Sequence, residues 1–208
     1  MISVANGSWW GVALSQDNVP VVREVSFDGF KTRDYPLPDV KGVKYFEDLI
    51  SFTVDRNNEI VMLFCAKSES GGSGDGVIRR IRDGKMVSQW VIDVPHVPEM
   101  EIEIGWVGPV TDEKCNVIIG HYENPCSAIN DDRVRISKYA PNGGLVWTWG
   151  EKLFLISDIC LSGNGTINIL RPGGPVYRLT PDCGYIEQVI IGDITQLGEP
   201  ECGNKRNR

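Results

Sequence analysis

Short apolar segments alternate with polar turns along almost the whole chain. In the clearest copy of this pattern, the apolar segment 156–162 is followed by the turn 163–165 and by a second apolar segment, 166–170. A further pair of apolar segments follows, joined by a turn at residues 182–184. Segments of this length, bounded by Gly, Asn and Asp, indicate β-strands joined by hairpins. The pattern therefore predicts a meander of four antiparallel strands.

The same meander occurs four times, once in every stretch of about 35 to 50 residues. A four-stranded sheet cannot bury both of its faces alone, and radial stacking of neighbouring sheets covers them. We therefore predict an all-β protein, a β-propeller of about four four-stranded antiparallel blades. The predicted blades are residues 7–40, 45–95, 101–150 and 155–192 of a single domain over 1–195, and residues 196–208 form a polar tail.

Pairs of Asp or Asn with Gly close a hairpin in three of the copies. They stand at Asp28-Gly29, Asp83-Gly84 and Asn142-Gly143. Tight hairpin turns need positive φ angles, which Gly adopts freely and which Asn and Asp tolerate better than other residues do. The pairing of strands within each copy is therefore predicted from local sequence alone.

A common string opens several of the copies: small and apolar residues alternate and end in Asp or Ser, before an Asn-rich turn. Residues 11–15, 51–55 and 158–162 show it best. In this string the chain resembles NHL and related six-bladed propeller repeats, and the resemblance implies a fold rather than an activity. The chain departs from this family in two features. The copies number about four instead of six, and the string at 147–150 is similar to the blade ends of quinoprotein-type propellers. Four copies can close a ring alone, be a fragment, or be half of a ring that a second chain completes as a homodimer.

Two insertions fall at the same place in neighbouring copies, between the second and the third strand. One is the Gly- and Ser-rich stretch 66–76, and the other is 121–132. Loops at matching positions of repeated blades lie on one rim, where repeat proteins usually bind their partners. The leading hypothesis is therefore a non-enzymatic binding propeller that presents these two loops to a protein or RNA partner.

Binding of a small anionic or sugar ligand is the alternative hypothesis. Basic residues recur on the third strand of successive copies and predict a basic stripe, made of Arg79, Arg80, Arg82, Arg133, Arg135, Lys138 and Arg178. Trp10 offers an aromatic face on which a sugar ring or a base can stack, as in a lectin-like or nucleotide-sequestering protein. His121 and Tyr122, in the second insertion, are further binding candidates. No nucleophile motif accompanies the histidine, and so no catalytic residue is predicted.

A metal-dependent hydrolase is the second alternative. Residues that open the inner strands of a propeller face its central channel, and here they are Gly11, Ser51, Gly108 and Asp158. Propeller hydrolases of the regucalcin and paraoxonase type would place several Glu, Asp and Asn residues there, because a hard cation takes six or more oxygen ligands. Asp158 alone does not supply them, and we predict neither a metal site nor a cofactor.

The overall charge narrows the choice of partners. The formal net charge is −7, which disfavours a general nucleic-acid binder because such proteins concentrate Lys and Arg. No apolar run is long enough to cross a bilayer, and residues 1–6 do not resemble a signal peptide. The six cysteines form no Cys-x-x-Cys pair, which is typical of reduced thiols. We predict a cytoplasmic protein without a membrane partner. The alternative is an exported protein, which the sequons at Asn6 and Asn164 would permit.

Overall fold

The computed structural model describes residues 2–38, 48–65, 75–92, 102–125, 133–151, 156–171 and 176–189. Within these ranges the chain forms four antiparallel sheets of four strands each. Strands that follow one another in sequence are neighbours in each sheet, so every sheet is a meander. The predicted all-β fold of antiparallel sheets is therefore confirmed.

Sheets 1 and 2 come from the first half of the chain. Sheet 1 contains β1 (Ile2–Ala5), β2 (Ser8–Leu14), β3 (Pro20–Ser26) and β4 (Thr32–Pro36). Sheet 2 contains β5 (Leu49–Val54), β6 (Ile60–Cys65), β7 (Gly76–Arg82) and β8 (Lys85–Ile92).

Sheets 3 and 4 come from the second half. Sheet 3 contains β9 (Ile102–Thr111), β10 (Val117–Pro125), β11 (Arg133–Tyr139) and β12 (Leu145–Glu151). Sheet 4 contains β13 (Asp158–Leu161), β14 (Ile167–Leu170), β15 (Val176–Leu179) and β16 (Tyr185–Val189). No helix in the described ranges is long and apolar enough to cross a membrane.

Sheet 1 differs from the strand order that the sequence pattern predicts. The string at 11–15 is predicted to open the first copy, but residues 11–14 belong to β2, the second strand of the sheet. The additional strand is β1, which pairs with β2 across the turn Asn6-Gly7, where both residues have positive φ. A strand of four residues is too short to show an alternating pattern, and so β1 is not evident from the sequence. Gly11, predicted to open an inner strand, lies on β2 instead.

The four sheets pack in sequence order through their first strands. β1 lies beside β5, β5 beside β9, and β9 beside β13. In the described part of the chain, no comparable contact joins sheet 4 to sheet 1. The contacts therefore show four sheets in a row, and the closure of a four-bladed ring stays a prediction.

Three cores fill the spaces between successive sheets, and β6 contributes to two of them. Ile60, Met62 and Phe64 pack towards sheet 1. Val61 and Leu63 pack towards sheet 3. Successive side chains of a strand point to opposite faces, so a strand that lies between two sheets is apolar at every position. The unbroken apolar run at 60–64 thus marks a strand that is buried on both faces.

Candidate functional site

The two insertions that the sequence predicts as binding loops connect β6 to β7 and β10 to β11. Residues 66–74 and 126–132 of these connections lie outside the described residues. β10 extends to Pro125, so residues 121–125 belong to a strand and not to a loop as predicted. They do so because β9 and β11 flank them and pair with their backbone groups. The second loop is thereby reduced to 126–132.

Both connections leave the same end of their sheets. The first hairpin turns of sheets 2 and 3 lie side by side: Arg56 donates a hydrogen bond to the backbone oxygen of Glu113 at 3.0 Å. Asn57 Nδ2 lies 3.1 Å from the Sγ of Cys115. In a meander, the second connection emerges at the end opposite to the first. The strand ends joined by the β6–β7 and β10–β11 connections therefore lie at one end of the two sheets, which we call the rim.

Beneath this rim, sheet 3 presents Trp106, His121 and Arg135 to sheet 2, and we call these three residues the rim wall. His121 pairs in register with Trp106 on β9 and with Arg135 on β11. The imidazole is buried, and its centroid lies 5.2 Å from that of the Trp106 ring. Trp106 fills the space over Gly76, where an added Cβ would lie 2.6 Å from the indole. The structure thus brings two predicted site residues, His121 and Arg135, together on a closely packed surface.

Tyr122 follows His121 on β10. Its backbone pairs with Gly105 and with Val134. Its side chain lies outside the described part of the structure, and its role in binding stays a prediction.

Arg79 lies on a different surface from the rim wall. It is buried on the face of β7 that is turned to sheet 1. Its guanidinium lies 4.7 Å from the centroid of the Phe64 ring, and its Nε donates to Oε1 of Gln89 at 2.8 Å. These contacts give Arg79 a packing role between sheets 1 and 2.

Arg178 lies on a third surface. Its neighbours Tyr177 and Leu179 are buried against sheet 3, so alternation turns Arg178 to the opposite face of sheet 4. Arg79, Arg135 and Arg178 consequently do not form the continuous basic stripe that was predicted. Recurrence on the third strand does not place them together, because Arg79 faces sheet 1, Arg135 faces sheet 2 and Arg178 faces away from sheet 3, so that whole sheets lie between them.

Arg80, another member of the predicted stripe, is buried in an ion-pair network. Its Nε donates to Oε2 of Glu59 at 2.7 Å, and one terminal nitrogen donates to Oδ2 of Asp55 at 2.5 Å. The other terminal nitrogen donates to the backbone oxygen of Cys115 at 2.8 Å. Arg82, whose side chain is exposed, also pairs with Glu59. The network joins sheet 2 to the first turn of sheet 3.

Lys138 repeats this arrangement one sheet further along. Its Nζ lies 2.7 Å from Oδ2 of Asp112 and donates to the backbone oxygen of Pro181 in sheet 4 at 3.0 Å. Burial acts to raise the pKa of Asp112, but hydrogen bonds from Lys138 and Asn116 outweigh it and lower the pKa. An Asp after the first strand and a cation on the third strand are the sequence signal of this pair. The repeated pair fastens each of two sheets to the next.

Trp10, the predicted stacking residue, lies in the core between sheets 1 and 2 and is 1% exposed. Its Nε1 donates to the backbone oxygen of Ala5 at 3.1 Å. This burial leaves no indole face open to a ligand. The two neighbouring tryptophans point to opposite faces, as alternation requires, and the exposed one is Trp9.

Asp158 is exposed at the start of β13, and its Oδ1 accepts a hydrogen bond from the amide of Ile159 at 2.8 Å. In the ranges that the structure describes, no group of three or more His, Cys, Asp or Glu residues stands close enough to hold a metal ion. Gly108 takes a φ of +90° in β9, where the pairing with β10 shifts register.

No family model matches this chain, and no curated protein matches it. The NHL resemblance therefore stays a prediction. Among solved structures, the chain is similar to the extracellular domain of a one-component system protein from B. thetaiotaomicron, with 15% identity and a TM-score of 0.45. That match covers 94% of this chain and 22% of the other.

Two further solved structures are similar. One is a gluconolactonase from Xanthomonas campestris, with 14% identity and a TM-score of 0.42 over 86% of this chain and 61% of the other. The other is the WD40 domain of SCAP from fission yeast, with 12% identity and a TM-score of 0.37 over 88% of this chain and 41% of the other. This chain spans less than two thirds of the length of each of these three chains.

Proposed function

We propose that this chain is a non-enzymatic binding protein with four propeller-type blades, which presents the connections 66–75 and 126–132 to a protein partner. The observation that carries the proposal is the position of the two connections. The strand ends that they join lie at the same end of sheets 2 and 3, opposite to the end where the turns of the two sheets contact each other. Two adjacent loops on a rigid frame are the usual arrangement of a binding surface in repeat proteins.

The sheets beneath these connections pack closely against each other. Sheets 2 and 3 share a core that includes Leu63, Ile78 and Ile119, and the Arg80 network fastens the same two sheets at the opposite end. Close packing of Trp106 over Gly76 adds to this at the rim. A closely packed base reduces the entropy that is lost on binding, because only the loops have to become ordered against the partner.

A protein fits this surface better than RNA does. The net charge of −7 opposes a polyanion. Two of the basic residues that could have formed a basic surface, Arg80 and Lys138, are used inside the fold. The connection 66–75 carries one Lys, one Glu and one Asp among small residues, which suits a polar protein surface.

The proposal can be tested with two loop variants. In one, residues 69–73 are deleted, and in the other, residues 127–131 are replaced by a Gly-Ser linker of the same length. Tagged proteins are incubated with an extract of the source cells, and captured proteins are quantified by mass spectrometry. Lys114→Ser, an exposed change in a turn at the opposite end, is the matched control.

We expect a defined set of proteins to be captured by the wild-type chain and by Lys114→Ser, and to be lost with both loop variants. Thermal unfolding of each variant establishes that the frame is intact. Capture that persists in both loop variants contradicts the proposal. Capture that disappears after ribonuclease treatment would assign the rim to RNA instead.

A further inference from the structure

Sheet 1 carries an exposed tryptophan on the face that is turned away from sheet 2, and two exposed phenylalanines in the turn after β3. Trp10 and Val12 pack towards sheet 2, so alternation along β2 turns Trp9 to the other face. Trp9 is 50% exposed, Phe27 is 56% exposed, and Phe30 is almost fully exposed. We call Trp9, Phe27 and Phe30 the aromatic corner. It lies apart from the rim and is not used by the proposed function.

The aromatic corner is held in place by its own turn. The Trp9 and Phe27 rings meet edge to face, with centroids 5.5 Å apart and planes at 64°. Asp28 Oδ1 accepts hydrogen bonds from the Ser26 hydroxyl at 2.5 Å and from the Phe30 amide at 3.0 Å. The turn that carries both phenylalanines is thus ordered by its own hydrogen bonds, so a ligand meets a preformed platform.

A polar pair lies one row along the sheet from Trp9. Trp9 on β2 pairs in register with Val25 on β3. Arg23 lies two residues before Val25, on the same face of β3, and pairs in register with Asp34 on β4. Arg23 Nε lies 2.7 Å from Asp34 Oδ1, and a terminal nitrogen lies 2.8 Å from Oδ2. Two of the five guanidinium N–H groups are used in this bidentate contact, and three remain as donors beside the carboxylate oxygens. The pair thus offers donors and acceptors side by side, at about 7 Å from the Trp9 row.

The open part of this face is small. In the next row, Val21 is only 3% exposed, so two rows of the sheet remain open. Across β2, β3 and β4, two rows measure about 14 Å by 13 Å, or roughly 180 Å². A stable protein interface buries about 800 Å² on each partner. The aromatic corner is therefore too small for a second copy of this chain and matches a ligand of a few rings.

We propose that the aromatic corner binds a neutral oligosaccharide of two or three rings, with one ring stacked on Trp9. The C–H groups on the face of a sugar ring carry partial positive charge, which complements the negative face of an indole. Adjacent sugar hydroxyls can donate a hydrogen bond to the Asp34 carboxylate and accept one from the Arg23 guanidinium at the same time. Because this pair is itself neutral overall, it favours neither an anionic nor a cationic sugar.

The experiment uses the full chain labelled with 5-fluorotryptophan, in which each tryptophan gives a separate fluorine resonance. Trp9→Phe identifies the Trp9 signal by its absence. Cellotriose, maltotriose, laminaritriose, xylotriose and chitotriose are titrated in turn. We expect at least one of them to shift the Trp9 signal with a Kd of about 0.1 to 1 mM, and to leave the buried Trp10 unshifted.

Variants then test the residues by calorimetric titration. Trp9→Ala should weaken binding at least about tenfold, because the platform is lost, and Arg23→Met should weaken it about threefold or more. Leu145→Ala removes an exposed apolar side chain on β12 and should leave binding unchanged. The circular dichroism spectrum of each variant establishes that it is folded.

Three results would overturn the proposal. One is the absence of any shift of the Trp9 signal with all five trisaccharides at concentrations up to about 20 mM, well above the expected Kd. Another is binding that Trp9→Ala does not weaken. The last is a Trp9 signal that moves with protein concentration alone, since that would assign the aromatic corner to self-association. None of these results bears on the rim connections, so the two proposals fail separately.

Discussion

Replacement of Arg80 by Met should strongly destabilise the fold. Arg80 is 2% exposed and donates hydrogen bonds to Asp55, Glu59 and the backbone oxygen of Cys115. Methionine fills much of the same space but removes the cation and all three hydrogen bonds. Asp55 is then left buried without its ion-pair partner, and within the described ranges Glu59 keeps only the exposed Arg82.

The size of the effect follows from this burial. Removal of one partner from a buried ion pair costs about 3 to 5 kcal/mol, because the remaining charge is desolvated and unpaired. A folded domain is stable by only about 5 to 15 kcal/mol. Arg82 provides the matched control, since it pairs with the same Glu59 but its side chain is 53% exposed. Exposed ion pairs contribute at most about 1 kcal/mol.

Urea unfolding followed by circular dichroism measures both changes. With a slope of about 2.5 kcal/mol per molar urea, Arg80→Met should lower the midpoint by about 1.5 M, and Arg82→Met by less than about 0.4 M. Adding Glu59→Gln removes one of the two buried carboxylate charges that Arg80 neutralises. The double variant should therefore show a coupling of about 1 to 3 kcal/mol with Arg80→Met.

Two results would refute this reasoning. If Arg80→Met and Arg82→Met lower the urea midpoint equally, burial of the charge is not what determines the cost. If Glu59→Gln leaves the cost of Arg80→Met unchanged, the loss does not come from unbalanced carboxylates. In both cases packing by the arginine side chain would be the remaining cause.

Three further predictions concern packing and pH. Gly76→Ala should cost about 1 to 3 kcal/mol in urea unfolding, because the new Cβ would lie 2.6 Å from the Trp106 indole; an equal cost in a Trp106→Leu background contradicts this. Burial and a hydrogen bond to a glutamate raise the pKa of Tyr35 to about 12. The raised pKa stabilises the fold fully below about pH 10, the pKa of tyrosine in the unfolded chain, and this stabilisation is lost as pH rises to about 12. Between about pH 10 and 12, the melting temperature of Tyr35→Phe should therefore fall less than that of the wild type. If the melting temperatures of Tyr35→Phe and the wild type fall equally between about pH 10 and 12, the prediction is wrong. The pKa of Asp112 is lowered, so its stabilisation is present above about pH 3.9 and is lost as pH falls below it. Lys138→Met should make the urea midpoint less dependent on pH between about 3 and 5. If the midpoint of the variant depends on pH as strongly as that of the wild type, the Asp112–Lys138 ion pair does not lower the pKa of Asp112.

The hairpins are the part of the fold that could be predicted best. Asp83 and Gly84 have φ values of 49° and 73°, as the tight turn predicted for this pair requires. Turn chemistry acts between neighbouring residues, so a single sequence displays it. β1 could not be predicted in the same way, because four residues carry too little pattern and the strand depends on its pairing with β2.

The candidate site was predicted less well, and the two tryptophans show why. Alternation predicts that Trp9 and Trp10 face opposite ways, and the structure agrees. It does not predict which face sheet 2 covers, so the sequence cannot tell that Trp10, the predicted ligand residue, lies in the core. The side that receives a neighbour depends on the order in which sheets stack, which is a long-range property.

The basic residues of the third strands show the same division between local and tertiary information. The sequence by itself determined that Arg79, Arg80, Arg135 and Lys138 lie on strands, and that adjacent ones point apart. Only the tertiary structure decided that Arg80 and Lys138 are enclosed with carboxylates of their own sheets, while Arg135 joins the rim wall. The physical reason is that a strand's period of two sets direction locally, whereas burial and charge pairing are set by the sheet that packs against each face.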